Sequence, residues 1–499
     1  MLLNQFNGGL HTKSSPHLIN QTEAVIANNV ELSSGSIAPL NGLTALEQTI
    51  PLGSEGITRF SGQWVANNPS SSYVEFNDVL YMSDSINTIT KSTNGVNFYE
   101  LGLDAPSGKL TTSSAAAPTI SHSVVTPTED GLDVGTYSYV IKATTTLGNT
   151  IVINHEVTLT AVRDIVISFN DYTNIASYKV YRNYEGDYRF VGGATSESVT
   201  DTILDISSNS STSDLKDATV YISYVYTYYS SSSGIESSPS EASSELAVLV
   251  NNTTVSNFVP STDPTVDTIK VYRLGNTLTD YYHVVSLTNA YATYTDTLTD
   301  LEVLEGDGVL ETTGYIRPPE GLKFLTEYNG ALFSCIDSTL YFSNSGTVEV
   351  WTGFNFIEFP EHITGLGSTQ NGLLVFSRNK TYIITGDSIS NYSKYLLHGS
   401  QGCITHNTIN YVDNNLLWLS LDGICVSTGS SVELLTWNRL GKVNVEPITS
   451  EVYENQYYLF HDEGTLVVDF RDTVVFYTLD LVVRGAHSLT NYMLWNLAI

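Results

Sequence analysis

Basic residues are scarce. Of 499 residues only 21 are Lys or Arg against 52 Asp or Glu, a net charge of -31. That balance argues against tight phosphate binding, which draws its affinity from clustered Lys and Arg. Three cysteines, Cys335, Cys403 and Cys425, are too few for a disulfide framework, and none lies in a CxxC pair. No run approaches the ~20 apolar residues of a membrane span, and the opening MLLNQFNGGL lacks a basic segment followed by an apolar core. The expectation is a soluble chain, made in a reducing compartment and not exported through a secretory signal. Helix-forming pattern is equally sparse. One short helix is expected near 21–32, with Thr22 as cap and Ala24, Val25, Ile26 and Ala27 as its body.

What is abundant is strand chemistry. Tyr alone numbers 32, and alternating runs such as TYSYVIKA (136–143), YISYVYTYY (221–229) and GTLVVDF (464–470) are separated by Gly, Asn and Ser clusters. At this length two to four domains are expected. The fold class predicted is all-β.

Two internal repeats divide the chain. YKVYR (178–182) returns as IKVYR (269–273), and each copy precedes a Thr-Asp-Thr turn, at 200–202 and 295–297. A unit of roughly 90–100 residues with about seven strands is the size of an immunoglobulin-like sandwich. The loop GIESSPSE with its following KVYR strand resembles fibronectin type III modules, giving sandwiches at 106–208 and 209–306. The second repeat is shorter. Aligning Gly330, Gly372, Asn415 and Asn455 gives spacings of 42, 43 and 40, each unit a turn, an apolar strand, a second turn and another strand. Such a period signals a β-propeller blade. FNDVLYMSD (76–84) shares the form, and STNGVNF (92–98) resembles an Asp-box turn with Asn94 where Asp is usual. The reading is one propeller of about six blades, built from 1–105 and 307–499 and interrupted by the two sandwiches.

Catalytic motifs are absent from the pattern. A sialidase would need three convergent arginines, a Tyr nucleophile and a carboxylate pair, and Arg59, Arg317, Arg378, Arg439, Arg471 and Arg484 fall in no recognisable motif. The ten histidines are scattered, without helical HxxxH spacing; His398 and His406 are the nearest pair after His11 and His17. The acidic stretch 299–311 lacks calcium-loop spacing and reads as a solvated linker. Neither an enzyme, a metal nor a cofactor is expected.

The N-terminus is more specific. FNGGL (6–10) is followed by PHLI (16–19), EAVIANNVEL (23–32) and GSIAPLNG (35–42), with Phe6, Gly8, Gly9, Glu23, Ala24, Asn28, Pro39 and Gly42 as its marks. This order resembles the opening of tail nozzle (tail tubular) proteins of short-tailed double-stranded-DNA bacteriophages. A second block agrees: RPPEGL (317–322), EYNGALF (327–333), LYFS (340–343) and EVW (349–351), with Arg317, Pro318, Pro319 and Trp351 as its marks. Leu40 and Asn41 depart from the family, which commonly has Arg there; this removes the expectation of a basic contact at that point, not that of the fold. The same residues also suit plain structural roles, as apolar anchors, turn glycines and a rigid re-entry at Pro318-Pro319.

The resemblance implies a structural part of the virion tail, assembled in the host cytoplasm. It would form a homo-oligomeric, hexameric ring below the portal and its adaptor, in contact with other tail proteins and tail fibres. Double-stranded DNA would pass without tight binding, because carboxylates repel phosphate. Segment 105–306 carries 23 acidic and 9 basic side chains, the rest 29 and 12, so the charge marks no lumen face. Arg378 and Lys380, in the turn SRNKT, are the candidate channel contact. The alternative from another class is a host-surface glycan receptor using tyrosine-rich loops such as YVYTYYSSSSG.

Overall fold

The computed structural model describes residues 56–61, 63–67, 71–114, 118–127, 130–145, 150–170, 175–195, 197–213, 220–248, 253–290, 292–471, 474–480, 483–489 and 492–497, with the two-residue strands Gly9–Leu10, Glu23–Ala24, Val30–Glu31 and Ala38–Pro39. Among them the secondary structure is almost wholly β; the single α-helix is Asp300–Leu304, five residues long. The helix expected near 21–32 is not borne out where it can be seen. Glu23–Ala24 is a strand parallel to Gly9–Leu10, and Val30–Glu31 pairs with Ala38–Pro39. Backbone partners from elsewhere in the chain override a weak local helical pattern here. Val25, Ile26, Ala27, Phe6, Gly8, Asn28 and Gly42 lie outside the described residues.

The chain divides into two compact units, Met1–Gly102 with Tyr315–Ile499, and Leu103–Gly314. Among the described residues the first contains five four-stranded antiparallel meanders. They start with Ser72–Phe76, Lys323–Tyr328, Ile363–Thr369, Asn410–Val412 and Pro447–Tyr453. Hairpins Gly56–Phe60/Gln63–Asn67 and Val483–Leu489/Tyr492–Leu497 stand before and after them. Two-residue turns explain the Asn/Gly pattern. Asn77-Asp78, Asn329-Gly330 and Glu454-Asn455 all take positive φ at both positions, the backbone that lets a tight hairpin follow the strands' twist.

Alternation along the second strand of each meander serves two neighbours at once. In Gly372–Ser377, fully buried, Leu373 and Val375 join Phe333, Phe342 and Leu366, while Leu374 and Phe376 join Trp418 and Cys425. Side chains of period two point to opposite faces, so a strand apolar at every position must be covered on both. Leu417 and Leu419 likewise pack with Tyr457, Leu459 and Val467, and Tyr81 and Leu101 with Leu325, Leu332 and Trp351. Phe60 packs with Leu80. Strand Val483–Leu489 lies beside Pro447–Tyr453 and also beside Gly56–Phe60.

The second unit has two modules of paired sheets. One joins Thr150–Leu159, Gly135–Thr145, Ile175–Tyr184, Asp187–Ala194 and Ser211–Thr212 in that spatial order; it shares a core with Ile120–Val125, Asp164–Phe169 and Ser198–Asp201. The other centres on Val220–Ser230, Thr268–Gly275 and Leu278–Thr288, covered by Thr111–Ser114, Thr253–Ser256 and Tyr294–Asp296. Two corrections follow. Thr111–Ser114, inside the segment 106–208, pairs with Thr253–Ser256 and belongs to the later module. Buried Leu103 and Leu110 anchor this lead-in among Tyr224, Tyr226 and Phe258, contacts no local pattern signals. Second, 299–311 is exposed at most positions, as expected, but is docked on the later module rather than a free linker. Thr299 and Glu302 form a reciprocal capping box, Val303 is buried with Leu278 and Val284, and Leu310 N donates to Tyr281 O at 2.8 Å. The boundaries therefore fall at 102/103 and 314/315 rather than at 105/106 and 306/307.

Candidate functional site

In the first unit, the 317–351 block meets the segment 88–102. Arg317 donates to Glu100, and Lys91 to Glu349. Thr88 Oγ1 donates to Pro318 O at 2.9 Å, Ser83 Oγ to Leu322 O, and Leu325 N to Ser72 Oγ at 2.7 Å. Trp351 is 1% exposed, its indole N–H bound to Val348 O at 3.0 Å, and its backbone pairs with Ile316. Pro319 follows at the start of the loop into Leu322, which is fully buried. Gly102 has φ +75, and an added Cβ would come 3.2 Å from Glu349 O and close to Arg317, so the chain passes there only without a side chain. The marks Arg317, Pro318 and Trp351 thus converge on one seam joining segments more than two hundred positions apart. Of the N-terminal marks, Gly9, Glu23, Ala24 and Pro39 lie in the two short strand pairs.

Arg378 and Lys380 are not equivalent. Arg378 is exposed. Lys380 Nζ binds Glu361 Oε1, which holds its ammonium above the usual lysine range, and Ser377 Oγ donates to Glu361 Oε2 at 2.6 Å. The lysine charge is met by a carboxylate in the loop that leads into its own meander. At the Asp-box-like turn, Asn94 Oδ1 accepts from Val96 N and Asn97 N, both at 2.9 Å: the side chain closes its own turn. Arg471 pairs with Asp469. No group of three or more His, Cys, Asp or Glu side chains placed to hold a metal occurs among the described residues. His398 Nδ1 accepts from Gln401 N at 3.0 Å, and His406, enclosed and 4.8 Å from the Phe324 ring, is pushed by burial down to about 4. Burial likewise pushes the thiols Cys335, Cys403 and Cys425 up to about 12, away from reactive thiolates.

The second unit holds a constellation that sequence reading touched without assembling. Tyr139 stands opposite Arg182 on the neighbouring strand, and Tyr224 opposite Arg273. Both members of each pair reach one carboxylate oxygen on the other sheet. Tyr139 Oη and Arg182 Nη1 each lie 2.7 Å from Asp201 Oδ2; Tyr224 Oη and Arg273 Nη1 each lie 2.6 Å from Asp296 Oδ2. All six side chains are buried. The KVYR and Thr-Asp-Thr repeats supply the Arg and the Asp, and the Tyr-rich strand upstream of each copy supplies the Tyr, within Ser-Tyr-Val at 138–140 and 223–225. Burial, then the neighbouring aspartate, raises both phenols far beyond their ordinary range, and burial raises Asp201 despite Arg182. Arg182 Nη2 also caps Ile203 O and Leu204 O, while Arg273 Nη2 pairs with Asp300. Each triad ties two sheets together, with Arg and Tyr of one sheet held on the aspartate of the other.

No protein-family model matches the chain, and no curated protein does. Among solved structures, the N-terminal domain of Nup159 is similar at 11% identity and a TM-score of 0.25, over 40% of this chain and 62% of that one, so the chain spans less than two thirds of that domain. The AfRom2 CNH domain matches at 11% identity and 0.25, over 45% and 74%. Sqt1 of Saccharomyces cerevisiae matches at 9% and 0.24, over 79% and 97%. At these scores the likeness carries no argument about function.

Proposed function

We propose that the chain is a ring-forming nozzle of a short-tailed phage, extending the channel through which a double-stranded genome is retained and ejected. In this reading the first unit is a six-bladed propeller. Its sixth blade combines the hairpins 56–67 and 483–497, and the second unit is a pair of immunoglobulin-like modules. The observation that carries the reading furthest is the succession of sheet contacts. It runs from Phe60 on Leu80 through five meanders and returns with Val483–Leu489 beside Gly56–Phe60, as a closed propeller requires. The nozzle assignment itself rests on the two sequence blocks at 6–42 and 317–351, the second of which contributes to the seam with 88–102. A net charge of -31, with Lys380 already neutralised by Glu361, suits a wall that DNA slides past.

The glycan-receptor alternative draws little support from its proposed loop, since Tyr224, Tyr226 and Tyr228 are core residues and Tyr229 lies under Lys270 Nζ at 4.0 Å. Mass measurement and negative-stain imaging of the purified full chain test the proposal. A six-fold ring with an axial opening is expected; a stable monomer or a trimer would overturn it. In a mobility-shift assay at physiological salt no complex with duplex DNA is expected. A salt-sensitive micromolar complex lost on Arg378→Ala with Lys380→Ala would replace the passive channel by a gripping one.

A further inference from the structure

His122 and His155, 33 positions apart, meet in the earlier module of the second unit. His122 Nδ1 lies 2.8 Å from His155 Nε2, with ring centroids 4.9 Å apart and planes at 65°. His122 sits on Ile120–Val125, the outer strand of the three-stranded sheet; His155 sits on Thr150–Leu159, the outer strand of the five-stranded one. Strand alternation puts both imidazoles on the faces that carry core residues. Ile120 lies two residues before His122, Ile153 and Val157 flank His155 at the same spacing, and all three pack into the module's shared core. At this open edge the apolar interior ends and two ring nitrogens of different sheets point at each other. His122 is exposed and His155 half-buried, so the pair is reached from solvent.

We propose that this pair is a binding site for a divalent transition metal ion of the imidazole-preferring class, Zn²⁺, Ni²⁺ or Cu²⁺, which clips the two sheets together. Two nitrogens facing at this distance share one proton; when a metal ion takes the lone pair of both, the donating ring carries its proton on its far nitrogen instead, so both imidazoles stay neutral. At metal–nitrogen distances of about 2.0–2.1 Å in a tetrahedral shell the nitrogens stand roughly 3.3 Å apart, so a parting of about 0.5 Å suffices, well within reach of the exposed His122 ring. Imidazole nitrogen suits these ions and not Mg²⁺ or Ca²⁺, which take oxygen. Two protein ligands leave the remaining positions to water. The strongly acidic chain raises the local concentration of any divalent cation. The consequence is structural: the bound ion holds the outer strand Ile120–Val125 to the opposite sheet.

Calorimetry of the full-length protein with Zn²⁺ at pH 7 tests this, read beside hydrogen exchange of 120–125 and 150–159. One equivalent is expected to bind at the pair, with slower exchange of both strands in its presence. Loss of a direct ligand weakens a site by at least the ~10-fold that loss of an outer-shell partner causes. His122→Gln and His155→Gln should therefore each lower the affinity by more than that. Gln at 122 can still hydrogen-bond His155, so His122→Gln separates loss of the metal site from loss of the fold; unchanged exchange without Zn²⁺ verifies this. His362→Gln, at an exposed histidine outside the pair, should leave binding as it is. Absence of Zn²⁺ binding, equal binding by His122→Gln, or binding without protection of the two strands would each overturn the proposal.

Discussion

The two units hold sheet against sheet by different means. Each module of the 103–314 unit drives a buried Arg and Tyr onto a single aspartate of the facing sheet. The other unit contains no such ionic pin at its meander contacts among the described residues. Interleaved apolar side chains join its meanders, and the seam between 72–100 and 317–351 is stitched by hydroxyls bonded to backbone carbonyl and N–H groups, with ion pairs toward its rim. The difference follows from geometry. A two-layer module has one interior, whose edge can be closed by a specific polar contact. A meander between two others must offer an apolar face on both sides, which leaves little room for an inward charge; the buried Asp469, at a strand end, is met within its own meander by Gln456 and Arg471.

Perturbing the pins and the stitches separately should sharpen that contrast. The largest effect is expected for Arg273→Ala, which strands Asp296 in the interior and should cost about 3–5 kcal/mol in denaturant unfolding of the 103–314 unit. Arg182→Ala should behave alike against Asp201. Acid comes next. His406 is held near 4 against an ordinary 6.5, so its neutral form is favoured by folding. That stability is complete above pH 6.5 and lost as the pH falls toward about 4, up to about 3 kcal/mol at 1.36 kcal/mol per pKa unit. Urea midpoints at pH 7, 5.5 and 4 should show the loss for the unit formed by 1–102 and 315–499, and His406→Gln should remove much of it. Tyr139→Phe or Tyr224→Phe deletes one bond to a charged acceptor and should cost about 1–3 kcal/mol. Arg317→Ala should cost least, below about 1 kcal/mol, because its partner Glu100 is 59% exposed.

The sequence made the β class legible through alternation, and the hairpin turns through Asn-Asp and Asn-Gly pairs that φ values explain. The KVYR and Thr-Asp-Thr repeats were visible as strings, but not that Arg and Asp of each copy meet, because strand pairing sets which side chains face. The same holds for His122 and His155, whose spacing of 33 matches no ligand motif. Thr111–Ser114 was assigned to the wrong module since a short Ser/Thr strand carries no apolar pattern, and its partner, Thr253–Ser256, lies far along the chain. The docking of the acidic segment after Leu298 was not legible because charge suggested solvent, whereas Asp300 answers Arg273 and Thr277. The 317–351 block was visible as a string; its role as one side of a seam needed the other side, 72–100, to be seen.

The account stands on 1–102 and 315–499 being one folding unit. It is tested most directly by comparing 315–499 alone with 1–102 joined to 315–499 through a short Gly-Ser bridge. The joined chain should be soluble, with one cooperative melting transition, and 315–499 alone should fail to give one, because Leu325, Leu332 and Trp351 then lose Tyr81, Ile89 and Leu101. A soluble 315–499 fragment that melts cooperatively as a monomer would contradict it.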